Sequence, residues 1–297
     1  MNPIDYAKLS GSGNDFLCID NRDGRYDSLL SDAARVGHFA RTILARGLAI
    51  GADGVIFACE NEAQGLADFA ARHFEPDGSE AELCGNGVAC FTRWVIENGW
   101  FTADEVKVLA TAGVVRGRRL GGGFVRVCIP LPEQMRRGLE IDAGGRRWSC
   151  DFCVTGVPHV VTYVEAIADL DIAHAGPALR YHGDFQPRGA NANFVQVIGE
   201  GEIAVRTWEF GVEGETLSCG TGSSASAILG ALRFGWPEKY LRGDAPVLVH
   251  ARSGDTLRVY FAIADGLNVT DLCIETLVRF VCTGRIHADL AAKATGE

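Results

Sequence analysis

Residues 72–90 read RHFEPDGSEAELCGNGVAC, and residues 206–226 repeat the pattern as RTWEFGVEGETLSCGTGSSAS. Each copy has an Arg, a Glu three residues later, an acidic turn with glycine, and then Cys-Gly-x-Gly. The corresponding residues are Glu75 and Glu209, Glu80 and Glu215, and Cys84 and Cys219, with one extra residue in the second copy. A repeat of this length indicates two related domains that each supply the same device to a shared cleft.

A helical pattern follows each Cys-Gly-x-Gly. Val88, Phe91 and Val95 fall on one helical face in the first copy, and SSASAILGAL (223–232) in the second copy is small or apolar all round, which predicts a buried helix. Each cysteine is therefore expected at a helix N-terminus. Glycines there allow a tight turn whose backbone N–H groups suit an anion such as a carboxylate.

The same position at a helix N-terminus favours the thiolate form of a cysteine. Two such cysteines, one from each domain, can act on opposite faces of a bound α-amino acid. One thiolate removes the α-proton while the opposing thiol donates a proton, which inverts the α-carbon.

Composition places the chain among globular proteins. It has 297 residues, of which 47% are hydrophobic and 22% charged, which leaves room for two cores and excludes disorder and fibres. No apolar run approaches the roughly 18 residues that span a bilayer, and the first residues do not form a signal peptide, so we expect a cytoplasmic protein.

A net charge of -10 with scattered basic residues predicts no binding to nucleic acid or membranes and favours a small-molecule partner. We leave a homodimer open.

Short strands dominate the predicted secondary structure. One amphipathic helix is predicted from about Ser31 to Arg46, with Ser31 or Asp32 as its cap and Gly47 at its end. The other segments are β-branched or aromatic and are bounded by turn residues, so the fold class is α+β. The predicted strands are DFLCID (15–20), GVIFACE (54–60), GGGFVRVCIP (121–130), PHVVTYV (158–164), ANFVQVI (192–198), EIAVRTW (202–208) and DTLRVYFAI (255–263).

The ten cysteines are not expected to form a disulfide framework, because the cytosol is reducing and a chain of this size does not need one. Those within apolar runs are predicted to be small core residues. These are Cys18, Cys59, Cys128, Cys273 and Cys282. Cys150 and Cys153 form a single C-x-x-C, which is half of a zinc site, and are better explained as strand residues.

No cofactor or metal is predicted. Neither copy of the repeat has the motif of a dinucleotide site or a P-loop. A pyridoxal-dependent racemase needs a Schiff-base lysine, and no lysine lies in an obvious cofactor loop, although Lys8 stays open. The histidines without metal-ligand spacing are His38, His73, His174, His182, His250 and His287.

The chain resembles the diaminopimelate epimerases. The resemblance rests on KLSGSGNDFLCID, GADGVIFA, DGSEAELCGNGVAC, GVPHVV, NANFVQV and GETLSCGTG, in the same order over nearly the whole chain. It implies two pseudo-symmetric α/β domains, each a curled sheet around a central helix, with the active site in the interdomain cleft. We place one domain at residues 1–128, completed by about 278–297, and the other at 129–277. It also implies a cofactor-independent racemase or epimerase with two bases.

The resemblance implies roles for individual residues. Cys84 and Cys219 match the acid/base pair. His159 and Glu209 match residues that tune the cysteines, and Glu209 also lies near the substrate amino group. Gly85, Asn86, Gly220 and Thr221 match the donors that hold the α-carboxylate, and Asn14 and Asn191 match further substrate contacts.

Three departures from the family pattern point to a changed substrate. The family reads FNADGSE, GNPH and ERGxGET where this chain has FEPDGSE, GVPH and EFGVEGET, so Glu75, Val157 and Phe210 replace two Asn and an Arg. The resemblance implies that the lost residues hold the distal end of diaminopimelate. A carboxylate beside Glu75 without its Arg would be costly, whereas a cation could pair with Glu75 and stack on Phe210.

Histidine is therefore the first substrate hypothesis, followed by lysine, ornithine and arginine. Diaminopimelate, converted from the LL to the meso form in lysine and peptidoglycan biosynthesis, is the alternative, with a neighbouring residue contacting the distal carboxylate. Two hypotheses from other classes stay open: a non-catalytic amino-acid-binding protein, and a redox sensor in which Cys84 and Cys219 form a switch.

Overall fold

The computed structural model describes residues 3–61, 65–81, 83–264 and 267–296. The chain divides into two compact units: unit 1 is Met1–Val127 with Leu277–Glu297, and unit 2 is Cys128–Thr276. Both units combine a sheet with a few helices, which confirms the predicted α+β class. Within the described ranges, no helix is long and apolar enough to cross a membrane.

Unit 1 is a sheet in which antiparallel and parallel pairs alternate. The pairs β1–β2, β3–β4 and β5–β6 are antiparallel, whereas β2–β3 and β4–β5 are parallel, and the end of β16 pairs with β1. The strands are β1 (Ile4–Gly11), β2 (Asn14–Asn21), β3 (Gly54–Cys59), β4 (Phe69–Phe74), β5 (Glu105–Ala110), β6 (Gly113–Arg119), β7 (Phe124–Cys128) and the last part of β16 (Val269–Ile286). The helices are α1 (Asp27–Leu30), α2 (Ala33–Leu44), α3 (Gly85–Glu97) and α7 (Ala288–Thr295).

The two faces of this sheet carry different helices. Helix α3 packs against β1, β2, β5 and β6, so the sheet curls around it. Its residues Val88, Phe91 and Val95 are buried, as predicted. The opposite face packs against α2 and α7 in a core that includes Phe39 and Phe57.

Helix α2 was predicted correctly except at its end. Asp32 is the cap, since its carboxylate accepts the N–H groups of Ala34 and Arg35. The helix stops at Leu44 rather than beside Gly47, because the carbonyls of Ile43 and Leu44 bind the N–H groups of Gly51 and Ala52 instead. The chain thereby returns directly to β3.

Unit 2 repeats this architecture. The pairs β9–β10, β11–β12 and β14–β15 are antiparallel, whereas β10–β11 and β12–β14 are parallel. The strands are β8 (Glu133–Ala143), β9 (Arg146–Thr155), β10 (Val157–Tyr163), β11 (Asn191–Gly199), β12 (Glu202–Glu209), β13 (Gly214–Thr216), β14 (Val247–Ala251), β15 (Thr256–Ile263) and the first part of β16. The helices are α4 (Ile172–Arg180), α5 (Gly220–Phe234) and α6 (Glu238–Leu241).

Helix α5 is the counterpart of α3. It packs against strands from β9 to β15 and is buried along Gly220 and Gly222–Ala231, as the small residues predicted. Helix α4 covers the other face of the sheet. The strand register is equivalent in the two units. Arg72 of β4 lies opposite Phe57 in unit 1, and Arg206 of β12 lies opposite Phe194 in unit 2. The repeat in the sequence is therefore a repeat in the fold.

Two predictions about the cysteines were wrong. Cys128 and Cys273 form a disulfide within unit 2 across a sequence separation of 145 residues, because the segment after β7 pairs with β16, where Ile129 N–H binds Leu272 O. Cys282 is exposed rather than a core residue. Cys18 is buried and Cys59 half-buried. Cys150 and Cys153 are buried residues of β9, as predicted.

Candidate active site

Cys84 is the N-cap of α3. Its backbone is extended, with φ −132° and ψ 115°, and its Sγ accepts the N–H of Gly87 at 3.4 Å. Position 87 is closely packed, since a Cβ there would lie 3.3 Å from Ile56 Cδ1 and 3.4 Å from the Cys84 Cβ. The sulfur therefore sits at the positive end of the helix dipole. Gly85 and Asn86 are buried in the first turn, and Asn86 Nδ2 has no hydrogen-bond partner among the described residues.

Cys219 occupies the same position in unit 2. It is the N-cap of α5, with φ −126° and ψ 111°, and its Sγ accepts the N–H of Gly222 at 3.4 Å. The hydroxyl of Thr221 lies 3.5 Å from the same sulfur. Gly220 is buried, and Thr221 O accepts the hydroxyl of Thr155. The two Cys-Gly-x-Gly segments thus place two sulfurs in nearly identical backbone settings.

In each copy of the repeat, the Arg forms an ion pair with the second Glu, close to the cysteine in the sequence. Arg72 makes a two-point ion pair with Glu80, at 2.7 and 2.6 Å. Arg206 makes the same pair with Glu215, at 2.6 and 3.0 Å. Each pair ties a strand to the turn that precedes the cysteine, and the bidentate geometry fixes its orientation. These residues of the repeat are therefore structural supports of the device.

Asn14 contacts Cys84 directly. Its Oδ1 accepts the Cys84 thiol at 3.6 Å, and its Nδ2 donates to Asp53 Oδ2 at 2.9 Å. Asp53 also accepts the N–H of Asp15 and the guanidinium of Arg46. Lys8, the lysine left open for a cofactor, is instead bound to Asp15 at 2.9 Å and to Gly51 O.

His159 is fully buried in unit 2 and belongs to a polar chain that reaches α5. Its Nδ1 lies 3.1 Å from Asn193 Nδ2, and Thr207 donates to Asn193 Oδ1. Because Asn193 Nδ2 also donates to a backbone carbonyl, Nδ1 of His159 is the acceptor and its proton lies on Nε2. Burial lowers the pKa of His159 to about 3, so the ring is neutral. Asn193 in turn packs against Gly222, where a Cβ would lie 2.3 Å from its Oδ1.

His73 is the buried histidine of unit 1. It lines a pocket with Cys84, Ile56 and Phe91 and packs edge-on against Phe16. Its Nε2 lies 3.9 Å from the carboxylate of Glu75. Burial lowers its pKa to about 4, so the ring is neutral at pH 7 and does not neutralise Glu75.

Phe210 lies at the end of β12, where its N–H donates to Asn191 Oδ1 at 2.6 Å. The ring is 40% exposed, and the guanidinium of Arg180 lies 4.3 Å from its centre. Arg180 is itself paired with Glu213 at 3.1 Å. The guanidinium of Arg188 lies 5.9 Å from the ring. A residue that breaks the family pattern therefore has two arginines as neighbours.

The remaining predicted residues lie on strand ends. Glu209 ends β12 and shares a face of that strand with Thr207, while Val157 starts β10 and is half-buried. The structure thus brings Cys84 together with Asn14 in unit 1. In unit 2 it brings Cys219 together with Thr221, and Asn191 with Phe210. Asn193 connects His159 to the α5 N-terminus.

Sequence reasoning missed four residues of this site. Asn193 had a signal, since it lies two residues after Asn191 in a strand and hence on the same face. Asp53, His73 and Arg180 had none. Asp53 lies 39 residues from Asn14 in the sequence, His73 lies opposite Ile56 of the neighbouring strand, and Arg180 belongs to a helix that is distant in sequence from Phe210.

Comparison with known proteins identifies the family. The sequence profile described as "Diaminopimelate epimerase" matches residues 6–117 and 152–259. A diaminopimelate epimerase of Aquifex aeolicus is 39% identical over 265 residues, covering 87% of this chain and 90% of that protein. One of Archaeoglobus fulgidus is 38% identical, covering 76% of this chain and 81% of that protein.

A solved structure shares the fold. The probable proline racemase of Agrobacterium radiobacter superposes with a TM-score of 0.73 at 16% identity, covering 98% of this chain and 95% of that one. Together with the two cysteine devices, these matches lead to one conclusion. The chain belongs to the diaminopimelate epimerase family and is an isomerase of the racemase and epimerase class.

Proposed function

We propose that the chain inverts the α-carbon of a free amino acid, with Cys84 and Cys219 as the two acid/base groups. The observation that carries the proposal is the duplicated device: two cysteines cap two helices with the same backbone geometry, and each sulfur accepts one glycine N–H at 3.4 Å. Function requires the two units to present the sulfurs to opposite faces of one substrate.

The proposed chemistry uses groups of the chain alone. N–H groups at the two helix N-termini bind the α-carboxylate and stabilise the charge that develops when the α-proton leaves. The thiolate takes that proton and becomes a thiol, while the opposing thiol gives its proton to the other face and becomes a thiolate. His159 and Glu209 have the role of orienting these groups and the substrate amino group.

A basic or aromatic amino acid, histidine first, is the proposed substrate. The carboxylate of Glu75 repels a substrate carboxylate and attracts a cation. Phe210 offers an exposed aromatic surface. Diaminopimelate is the second candidate, because Arg180 and Arg188 lie beside Phe210 and could meet a distal carboxylate.

Exchange of the α-proton in deuterated water tests both the two-cysteine mechanism and the proposed substrate. We expect exchange with L-histidine and loss of inversion in Cys84→Ala and in Cys219→Ala, whereas Cys282→Ala, at an exposed cysteine, serves as the matched control and retains activity. Full inversion in either active-site variant would refute the two-base assignment, and the absence of exchange with every amino acid would favour a binding protein.

Glu75→Gln separates the two substrates. We expect it to raise KM for histidine about tenfold, the effect of about 1.4 kcal/mol, and to lower KM for LL-diaminopimelate. Exchange with LL-diaminopimelate alone would replace histidine by the second candidate.

A further inference from the structure

We propose that Asn14, oriented by Asp53, holds the proton on Cys84, so that the free enzyme carries Cys84 as the thiol and Cys219 as the thiolate. The consequence for catalysis rests on the proposed function. The protonation assignment rests on hydrogen bonds within each unit and would stand without it.

The orientation of the Asn14 amide follows from its partners. A carboxylate can only accept hydrogen bonds, so the atom 2.9 Å from Asp53 Oδ2 is the amide nitrogen. The amide oxygen therefore faces Cys84 Sγ at 3.6 Å. An amide oxygen has no proton to give, so this contact is a hydrogen bond only while Cys84 is a thiol. A thiolate would meet the lone pairs of the oxygen instead.

Asp53 prevents the amide from turning over. Its Oδ2 also accepts the N–H of Asp15 at 3.0 Å, and its Oδ1 accepts the guanidinium of Arg46 at 2.8 Å. The N–H of Asp53 donates to the Asp15 carboxylate at 3.0 Å. A turned amide would set its oxygen against the Asp53 carboxylate, so the pair of aspartates fixes the direction of the Asn14 hydrogen bond.

Cys219 has a different second neighbour. Both sulfurs accept one helix N–H at the same distance, so the helices do not distinguish them. The group beside Cys219 is the hydroxyl of Thr221, at 3.5 Å, and a hydroxyl can donate to a thiolate. The Thr221 hydroxyl can either donate to Cys219 or accept from it, whereas the Asn14 oxygen can only accept from Cys84, so this pair of neighbours favours the proton on Cys84.

The ionisable groups near the two sulfurs leave the assignment to the hydrogen bonds. Asp15 and Asp53 lie behind Asn14, His73 faces the Cys84 pocket from β4, and Cys90 follows on α3. His73 is neutral, and burial raises the pKa of Cys90. The Asp15 carboxylate is paired with Lys8 and the Asp53 carboxylate with Arg46, so these opposite charges offset one another and the assignment rests on the hydrogen bonds. Near Cys219 the imidazole of His159 is neutral.

With this protonation, the free enzyme can remove the α-proton only with Cys219. The free enzyme accepts the enantiomer whose α-proton faces Cys219, and turnover leaves Cys84 as the thiolate and Cys219 as the thiol. Asn14 is a positioning residue in this step, because it acts on the protonation of Cys84. The two substrate enantiomers therefore meet enzyme forms of unequal population.

Alkylation by iodoacetamide as a function of pH tests the assignment. The rate at each cysteine is followed by mass spectrometry of its peptide, and its pH midpoint reports the thiolate independently of access. In the native chain we expect a lower midpoint for Cys219 than for Cys84. Asn14→Leu should increase the ratio of thiolate to thiol at Cys84 about threefold to tenfold, the range for one hydrogen bond, which lowers the Cys84 midpoint by about 0.5 to 1 pH unit, and leave Cys219 unchanged. The matched variant Thr221→Val should raise the Cys219 midpoint and leave Cys84 unchanged.

A Cys84 midpoint at or below that of Cys219 in the native chain would overturn the inference, even if neither variant folds. An unchanged Cys84 midpoint in folded Asn14→Leu would overturn it as well. Neither readout requires turnover. An inactive protein with these shifts would refute the proposed function alone, and an active protein without them would refute only the protonation assignment.

Discussion

Acidification to pH 5 should destabilise both units, because each contains one buried neutral histidine. The side chain of His73 in unit 1 is 11% exposed and that of His159 in unit 2 is fully buried. Burial lowers their pKa values from 6.5 to about 4 and about 3. Below pH 6.5 the unfolded chain binds protons that the folded chain does not. Stability is therefore complete above pH 6.5 and is lost as the pH falls toward the folded values.

The size of the loss follows from these values. At pH 5, about 1.5 pH units below the unfolded pKa, each histidine costs about 2 kcal/mol at about 1.4 kcal/mol per unit. His73→Leu should remove this cost in unit 1, so that the variant loses about 2 kcal/mol less than the native chain between pH 7.5 and pH 5. His287→Gln is the control, since the His287 side chain is 80% exposed and meets nearly the same solvent when the chain unfolds.

Urea unfolding at the two pH values measures the difference, with circular dichroism as the signal. Hydrogen exchange of peptides from α3 and α5 assigns the loss to each unit, because the two units need not unfold together. The effect of His73→Leu should be confined to α3. Equal pH dependence of the native chain and His73→Leu would refute the argument that His73 stays unprotonated in the folded chain.

Three further predictions concern stability and covalent structure. Gly222→Ala should cost about 1–3 kcal/mol in urea unfolding, because its Cβ would lie 2.3 Å from Asn193 Oδ1. Gly230→Ala in the same helix should stabilise by about 0.5–1 kcal/mol, because its Cβ would meet no described atom within 4 Å beyond its chain neighbours and the adjacent helix backbone. Equal effects of the two substitutions would contradict this. Asp32→Ala should cost about 1 kcal/mol, since it removes the α2 cap, and an unchanged urea midpoint would contradict that role. Thiol titration of the unreduced chain in denaturant should count eight of the ten cysteines, because Cys128–Cys273 is a disulfide; a count of ten would contradict the bond.

Local patterns were sufficient for part of the secondary structure. All seven predicted strands overlap observed strands, and the glycines after each cysteine indicated helices that begin there. The strands that were not predicted are β1, β4, β5, β6, β8, β13, β14 and β16. Among them, β8 was missed because its residues are mostly exposed and polar, without the alternation that marks a half-buried strand. Its partner β9 is what holds it in the sheet, through a register interrupted by two irregularities.

The sequence by itself determined the duplicated device, its two cysteines and the α+β class, because these depend on residue type and short spacing. The tertiary structure decided which side chains meet. Asn14 reaches Cys84 across 70 residues and Asp53 across 39, and Cys128 reaches Cys273 across 145. Such contacts depend on strand register and on the direction in which each side chain points, and one residue of register shift would turn a side chain to the other face of the sheet. The two cysteines that we propose as acid/base groups can therefore be identified from the sequence, whereas the hydrogen bonds around each sulfur arise only in the folded chain.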